Sequence, residues 1–434
     1  MNYETIKSFI LVVLVGISFL LSFILWSYQP NYDYFYDASY VNEVDIGGVE
    51  NTRNDLFKPT EVVFRNDDKV FSFTNPLERE SFYQDITSVV LYDVNVSELT
   101  ERPDVTHDEY VEMVFPNPVP AEVLTSIFSF EEDLIPPNWS FERMFLTFND
   151  EARTLQLSVI SADERNEMTA SIEKSETYEL LIDYMDGHQS LEEFIAFGSE
   201  EDPIYVPKNR VQLSSKTLVA IQIDPELFIN ALFANPNLVT PNMREAYFTD
   251  GQRGMRVVHG GRKLEFINPI QSEDDETLPE DLIAKSITNI NEHKGWTNNF
   301  LFEEIDKNAD YIQFRLHYDG YPIFDRYSLS VMKQSWRDQV LYEYERPLIQ
   351  IGSLLNSQEV ELPSGEEIIE LLEEDENYDL ENVRAIEIGY FLSYIDDNHS
   401  LILEPSWFIL YGNEWIRYDF IQDEEAYFND REGS

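Results

Sequence analysis

Histidine is the first residue type to examine for chemistry, because it ligates metals and transfers protons near neutral pH. The 434-residue sequence contains six histidines, and no two of them stand four residues apart. They are His107, His188, His259, His293, His317 and His399. Because no His-Glu-x-x-His motif occurs, the sequence does not indicate a zinc hydrolase.

The sequence also lacks the motifs that are typical of nucleophilic catalysis. The sequence contains no Cys, which excludes disulfides, thiolate catalysis and Cys-ligated metal sites. It also lacks the Gly-x-Ser-x-Gly elbow, the Walker loop and the Gly-x-Gly-x-x-Gly loop. His259-Gly260-Gly261 is similar to the oxyanion segment of esterases. Without a nucleophile elbow, this segment is better explained as a Gly-Gly hairpin turn.

One acidic segment matches the start of a calcium-binding loop. Residues 306–310 (Asp-Lys-Asn-Ala-Asp) fit the first five positions of an EF-hand. Tyr311 stands where that loop needs Gly, and His317 stands where it needs Glu. Paired carboxylates are uninformative in a chain with 83 Asp and Glu residues. We therefore predict no metal site, no cofactor and no catalytic residues.

The excess of acidic residues limits the class of partner that the chain can bind. Thirty Lys and Arg residues oppose 83 Asp and Glu residues, giving a net charge of −53. Binding to nucleic acid requires basic patches that displace counterions, so we predict no nucleic-acid partner. The hydrophobic content of 43% and aromatic content of 14% exclude a disordered chain.

Strands are the main elements that would position any site. Residues 62–65 and 70–73 flank a polar turn, and Asp319-Gly320 is a strong hairpin signal between 311–318 and 321–325. Met144–Ile160 and Ala246–Ile267 also have hairpin-like patterns. The further predicted strands are 110–115, 218–223, 327–332, 340–344, 385–395, 401–410 and 415–421.

Helix signals are fewer. Asn75-Pro76 is typical of a helix start, and Ser364 with Glu367 forms a capping box. Another helix is predicted over 282–290. Asn117-Pro118 and Asp224-Pro225 both follow a predicted strand and predict helix starts as well. A duplicated strand–helix–hairpin unit and a coincidence of common α+β elements explain these two stretches about equally well.

The pattern predicts an α+β fold class: an N-terminal transmembrane helix followed by a multi-domain ectodomain of mostly antiparallel sheets with packed helices. Boundaries are expected near Gly198–Pro203 and at the acidic run 273–281. The predicted parts are a cytoplasmic tail (1–8), the transmembrane helix (9–28), an N-terminal ectodomain (29–200), a central domain (201–280) and a C-terminal domain (281–434).

The membrane helix is predicted from residues 9–26, which carry no charge and are close to the roughly 20 residues that span a bilayer. Lys7 precedes them, and the next cation is Arg53. The positive-inside rule then places the N-terminus in the cytoplasm and the ectodomain outside the cell. A cleaved signal peptide is less favoured, since bulky residues, including Trp26 and Tyr28, stand where small ones are needed.

The predicted membrane helix has two different faces. One seam follows alternating steps of three and four and carries three serines, which permit close approach and hydrogen bonds between helices in lipid. We predict that this seam binds a partner helix. Its residues are Ser8, Leu11, Val15, Ser18, Ser22 and Leu25. The other face is mostly bulky and contains Phe9, Val12, Gly16, Phe19, Phe23 and Trp26.

Five stretches give the sequence a resemblance to a known family. They are MNYETIKSFILVVLV, LFKPTEVVFRNDD, LFANPNLVTPN, TDGQRGMRV and FRLHYDGYPIF. Together they extend along essentially the whole chain, and they resemble the YycH family.

The resemblance implies a single-pass membrane protein of a Gram-positive cell, with a cytoplasmic N-terminus and an extracellular domain. It implies accessory regulation of the WalK/WalR two-component system, which controls cell-wall metabolism. The implied partners are the sensor histidine kinase WalK, the smaller membrane protein YycI and, through one helix, the lipid bilayer. The part from about residue 200 onward would be YycI-like. The resemblance supplies no catalytic residues and does not fix whether the kinase is inhibited or activated.

Three functions therefore compete. The leading one is regulation of the kinase through the membrane helix, without enzymatic activity. The alternative is an extracytoplasmic, cell-wall-associated binding protein or enzyme with an unrecognised site. The third is a cation-responsive sensor that uses the acidic surface.

Overall fold

The computed structural model describes Val15 and residues 44–418, apart from 67–68, 100–108, 150–151, 188–189, 200–201, 243–245, 270–278, 307–309, 338 and 376. Apart from Val15, these residues all belong to one compact unit, residues 43–434. The predicted membrane segment 9–28 lies outside the described residues except for Val15. Within the described part of the chain, no helix is both long and apolar enough to cross a membrane.

The first half of the described chain forms a ten-stranded sheet. Its strands lie in the order β10-β9-β2-β1-β4-β6-β7-β8-β3-β5, and all neighbours are antiparallel except β3 and β5. The strands are β1 (Glu61–Asn66), β2 (Lys69–Phe73), β3 (Val90–Glu98), β4 (Glu109–Pro120), β5 (Ser129–Phe130), β6 (Ser140–Asn149), β7 (Thr154–Ser161), β8 (Asn166–Ile172), β9 (Leu191–Gly198) and β10 (Pro203–Pro207).

The second half forms a fourteen-stranded sheet. Twelve strands follow the order β12-β13-β14-β15-β20-β19-β17-β18-β22-β23-β11-β21, while β16 pairs with β17 and β24 with β23. The strands are β11 (Val211–Gln222), β12 (Thr240–Asn242), β13 (Tyr247–Thr249), β14 (Gly254–Val258), β15 (Lys263–Ile267), β16 (Phe300–Asp306), β17 (Tyr311–Tyr318), β18 (Tyr321–Phe324), β19 (Val331–Arg337), β20 (Val340–Pro347), β21 (Ile349–Leu362), β22 (Val383–Ile395), β23 (Ser400–Tyr411) and β24 (Glu414–Tyr418).

The α-helices among the described residues are few and short. They are α1 (Arg53–Leu56), α2 (Pro76–Thr87), α3 (Leu124–Ile127), α4 (Ser175–Gly187), α5 (Leu227–Leu232), α6 (Pro279–Asn291) and α7 (Gly365–Glu374). The Asn75 side chain accepts the backbone N–H of Leu77 at the start of α2. Ser364 and Glu367 form the predicted capping box of α7. The predicted sheet-rich α+β fold with few helices is therefore confirmed.

Two predicted elements are wrong. The helix expected at Asn117-Pro118 does not begin there, because β4 continues to Pro120 and α3 begins at Leu124. The β4–β6 register shifts between Val114 and Val119, and at such an irregularity prolines without N–H groups are tolerated.

The strand predicted over 327–332 begins only at Val331. The Asp325 carboxylate accepts the backbone N–H groups of Tyr327, Leu329 and Ser330. Because these N–H groups are bonded to a side chain, they form a turn and do not join a strand ladder.

One continuous apolar cluster extends across both sheets. Phe57 from the first half stacks on Phe302 from β16, with ring centroids 4.6 Å apart. Both rings are buried, and burying such a side chain stabilises the fold by roughly 1.5–3 kcal/mol. The chain near Val49 also forms a bridge with Trp296, just after α6. The two sheets therefore share a core, so a site between them is held from both sides.

Candidate functional site

The partner-binding residues predicted from the sequence fall on the membrane segment. Ser8, Leu11, Ser18, Ser22 and Leu25 lie outside the described residues. Val15 is described, as a helical and exposed residue. The partner-binding face consequently stays a prediction, and the described residues form a candidate site of their own.

Such a site is a cavity of about 100 Å³ where the two sheets meet. It is partly open to solvent, and residues from both halves of the described chain form its wall. Much of the wall is apolar or aromatic. Besides the phenols of Tyr205 and Tyr321, the ionisable side chains in it are Lys58, Glu61, Arg79, Glu303, Arg315, His317 and Glu387.

The first sheet contributes an ion pair to this wall. Glu61 is the first residue of β1, and its Oε1 lies 3.1 Å from Nη1 of Arg79 on α2. The Ser72 hydroxyl lies 2.8 Å from the other carboxylate oxygen. Burial raises the pKa of the Glu61 carboxyl, while the charge of Arg79 acts in the opposite direction. The neighbouring Lys58 forms an ion pair with Glu80 of α2.

The second sheet contributes another ion pair. Arg315 of β17 places Nε 2.7 Å and Nη2 2.6 Å from Oε1 of Glu303 on the paired strand β16. The amide of Gln313 donates to the second oxygen of Glu303 at 2.9 Å. Arg315 also donates to the backbone oxygen of Ile323, and its guanidinium lies over the ring of Phe324, 4.4 Å from the centroid. Neighbouring protein groups therefore occupy almost all the hydrogen-bonding groups of this ion pair.

Glu387 differs from the other acids of the cavity. It lies on β22 opposite Phe408, and its side chain keeps part of its surface open to the cavity. Within the described part of the chain, no group donates a hydrogen bond or forms an ion pair to it. Burial, the largest cause, together with the charge of Glu61 raises the pKa of Glu387 to about 7, although Arg79 and Arg315 oppose the rise.

His317 contributes an imidazole to the wall. Its Nδ1 lies 3.0 Å from the backbone oxygen of Arg315. Burial lowers the pKa of His317 to about 3; the hydrogen bond to the backbone of Arg315 opposes this fall, and the charge of Arg315 adds to it. The imidazole is therefore neutral at physiological pH, and a base with so low a pKa is poorly matched to proton transfer near neutrality. The raised pKa of Glu387, by contrast, lies near neutrality.

A second polar cluster fastens the first sheet internally. Arg143 of β6 forms ion pairs with Glu112 of β4 and with Asp202, which immediately precedes β10. The phenol of Tyr205 in β10 donates to Glu112 at 2.6 Å. Glu112 is only 2% exposed, so its charge is compensated by both partners. This cluster brings β10 against β4 and is structural, because its hydrogen-bonding groups are occupied by one another.

Sequence reasoning missed the cavity because its residues are far apart in the chain and of common types. One signal was available for Glu387. It stands between Ile386 and Ile388 in a strand whose central residues are otherwise uncharged. Because Glu is rarely buried without a partner, an acid inside a largely apolar strand is a candidate for a functional polar site.

Comparison with known proteins places the chain in a family. A family model described as the N-terminal domain of YycH protein matches residues 4–190, and a model of its C-terminal domain matches residues 201–425. The chain belongs to the YycH family. The resemblance inferred from the sequence is confirmed, and both halves of the family pattern are present.

Two relatives extend this result. The chain is 22% identical, over 94% of its own length and 94% of the relative, to "Two-component system WalR/WalK regulatory protein YycH" from Bacillus subtilis (strain 168). The crystal structure of YycH from Bacillus subtilis has the same fold, with a TM-score of 0.72 at 18% identity, covering 86% of this chain and 98% of that one. At this identity the structural likeness establishes the fold alone.

Proposed function

We propose that this YycH-family protein regulates a two-component sensor histidine kinase of the WalK type. The observation that carries the proposal is the match over 94% of both chains to a relative named as a WalR/WalK regulatory protein. The family models match both halves of the chain. The role is regulatory, as the name of that relative says of the relative.

The protein acts from the cell membrane. Residues 9–28 form a single transmembrane helix, with residues 1–8 in the cytoplasm and residues 29–434 outside the cell. The support is the uncharged run 9–26, preceded by Lys7 and followed by acidic residues. The extracellular part divides into 29–200, 201–280 and a C-terminal region 281–434, which lies within the YycI-like part that starts near residue 200.

The membrane helix contacts the kinase and YycI. Its seam of Ser8, Leu11, Val15, Ser18, Ser22 and Leu25 carries small and hydroxyl residues, which allow two helices to approach closely in lipid. Apolar side chains are solvated as well by lipid as by another helix, so close packing and hydrogen bonds must supply the association energy.

A second candidate function is favoured by the cavity. An extracytoplasmic binding protein needs a preformed, partly apolar cavity with a few polar groups, and the space between the two sheets meets that description. One protein can have both functions if binding of a ligand in the cavity changes how the protein regulates the kinase.

Copurification from native membranes tests the proposal. The full-length chain carrying an affinity tag is solubilised with mild detergent and captured, and the bound proteins are identified by mass spectrometry. We expect a sensor histidine kinase and a second single-pass protein in the eluate. The control is the same ectodomain on an unrelated membrane helix. Recovery of neither partner with the native helix, from cells that express both, would contradict the proposal.

A further inference from the structure

The charged side chains that line the cavity each have an ion-pair partner except for one. Three cations each have a carboxylate partner: Lys58 with Glu80, Arg79 with Glu61, and Arg315 with Glu303. Glu387 has no partner among the described residues. A carboxylate withdrawn from water without a partner is unfavourable, so Glu387 is the acid of the wall that an added cation would stabilise.

The apolar part of the wall lies beside this carboxylate. Phe408 stands directly opposite Glu387 in the β22–β23 ladder, and side chains of opposed residues point to the same face of a sheet. Phe324 stacks on Phe408, with centroids 4.0 Å apart, and contacts Trp415 at 4.9 Å. Phe324 and Trp415 both line the cavity. An aromatic wall next to an unpaired carboxylate is suited to an organic cation.

We propose that this cavity binds a small organic ammonium cation, with the Glu387 carboxylate as its counter-ion and the Phe324–Trp415 wall against its alkyl group. The ammonium supplies the hydrogen-bond donors that Glu387 lacks. The three existing ion pairs remain intact, because Glu387 alone serves as the counter-ion of the ammonium.

The size and the donor set narrow the ligand class. A volume of about 100 Å³ is well below the roughly 300–1,000 Å³ of cavities that hold drug-sized ligands, so only a few non-hydrogen atoms fit. A hard metal cation needs several oxygen ligands. Among the described residues, no group of three or more His, Asp or Glu could hold a metal ion. The mixed wall therefore favours an alkylammonium over a bare metal ion.

The charged neighbours of Glu387 explain why binding depends on pH. Burial is the main reason that the pKa of Glu387 is raised to about 7; Glu61 on β1 and Glu303 on β16 add to the rise, whereas Arg79 on α2 and Arg315 on β17 oppose it. Only the ionised carboxylate binds a cation. Apparent affinity scales with the ionised fraction, which increases about tenfold between pH 6 and pH 8.

Saturation-transfer NMR with ethylammonium as the probe tests the inference. The full-length protein is held in detergent micelles, and sodium chloride keeps the ionic strength constant. We expect a saturable signal for the wild type, with an affinity about tenfold higher at pH 8 than at pH 6. We expect at least a tenfold loss of affinity in Glu387→Gln. Glu359→Gln, which removes one charge from an exposed position on β21, should bind like the wild type.

Two results would overturn the inference: equal ethylammonium signals in wild type and Glu387→Gln, or a wild-type signal that does not saturate at either pH. The wild-type pH series keeps the test decisive even if Glu387→Gln does not fold. The experiment contains no kinase, so failure of ethylammonium binding leaves the regulatory function untouched, and loss of kinase copurification leaves this inference untouched.

Discussion

The phenol of Tyr321, in the second strand of the Asp319-Gly320 hairpin, donates a hydrogen bond of 2.8 Å to the backbone oxygen of Thr74, which follows β2. The bond joins the two sheets at the edge of the cavity, because both residues line it. Burial raises the pKa of Tyr321 to about 12, so the phenol remains a donor throughout the physiological range.

Replacing Tyr321 by Phe is expected to destabilise the fold by about 1 kcal/mol, since the ring is kept and only the hydrogen bond is lost. Urea unfolding of the full-length protein measures the change. Tyr327→Phe is the matched control, because Tyr327 is 56% exposed and should change stability little. Equal effects of the two substitutions would show that the bond to Thr74 contributes nothing measurable.

The hairpin itself yields a second prediction. Gly320 has a φ of +80°, and a Cβ atom there would lie 2.6 Å from Cβ of Pro76 at the start of α2. Gly412 has a φ of +63° and open space around its Cα. Ala at either position is strained by about 1 kcal/mol. Gly320→Ala should lower the thermal unfolding midpoint clearly more than Gly412→Ala does, because it also pushes the hairpin away from α2. Similar thermal unfolding midpoints for the two variants would argue against close packing of the hairpin on Pro76.

The pH dependence of stability tests the burial of Glu387. Its pKa in the folded protein is raised from 4.5 to about 7, so its ionisation disfavours the folded state. Its contribution to stability is fully present below pH 4.5 and is lost as the pH rises through 7. Glu387→Gln cannot ionise, so its stability relative to wild type should increase by at most about 3 kcal/mol between pH 4.5 and pH 8.

Urea unfolding at pH 5 and pH 8, without added amines, measures this difference. Glu359→Gln controls for the change of one unit in net charge. If the stability difference between Glu387→Gln and wild type is the same at both pH values, the carboxyl is not desolvated as the structure indicates.

Strong local signals made parts of the fold predictable. Asn75-Pro76, the Ser364–Glu367 capping box and Asp319-Gly320 act within a few residues, and all three form the predicted element. Several strands were not predicted, among them β3, β8, β9, β10, β16 and β21. β21 is an edge strand whose central residues are exposed, so it lacks the alternation of apolar and polar residues that marks a half-buried strand.

The candidate site could not be predicted in the same way. Glu61 and Glu387 meet only because two sheets pack together, and no local pattern encodes that packing. Among 83 acidic residues, spacing alone cannot single out the buried ones. The hydrogen bond of the Asn117 side chain to the backbone oxygen of Glu303 is a similar case. A residue predicted to start a helix instead fastens the first sheet to the second.

The central claim is that the serine seam of the membrane helix binds a partner helix and thereby sets kinase output. Replacing Ser18 and Ser22 by Leu keeps the segment apolar, so membrane insertion and topology should survive. The added bulk should weaken association by about 1–2 kcal/mol, or roughly 5–30-fold. Phe19→Leu, on the opposite face, is the matched control.

The most direct test is crosslinking of the full-length protein to its sensor kinase in intact cells, read together with a kinase-controlled promoter. For Ser18→Leu with Ser22→Leu, we predict that crosslinking falls by that factor and that promoter activity shifts as it does on deletion of the gene. Phe19→Leu should leave both near wild type. Wild-type crosslinking and promoter activity in the double variant, at equal protein levels in the membrane, would contradict the account.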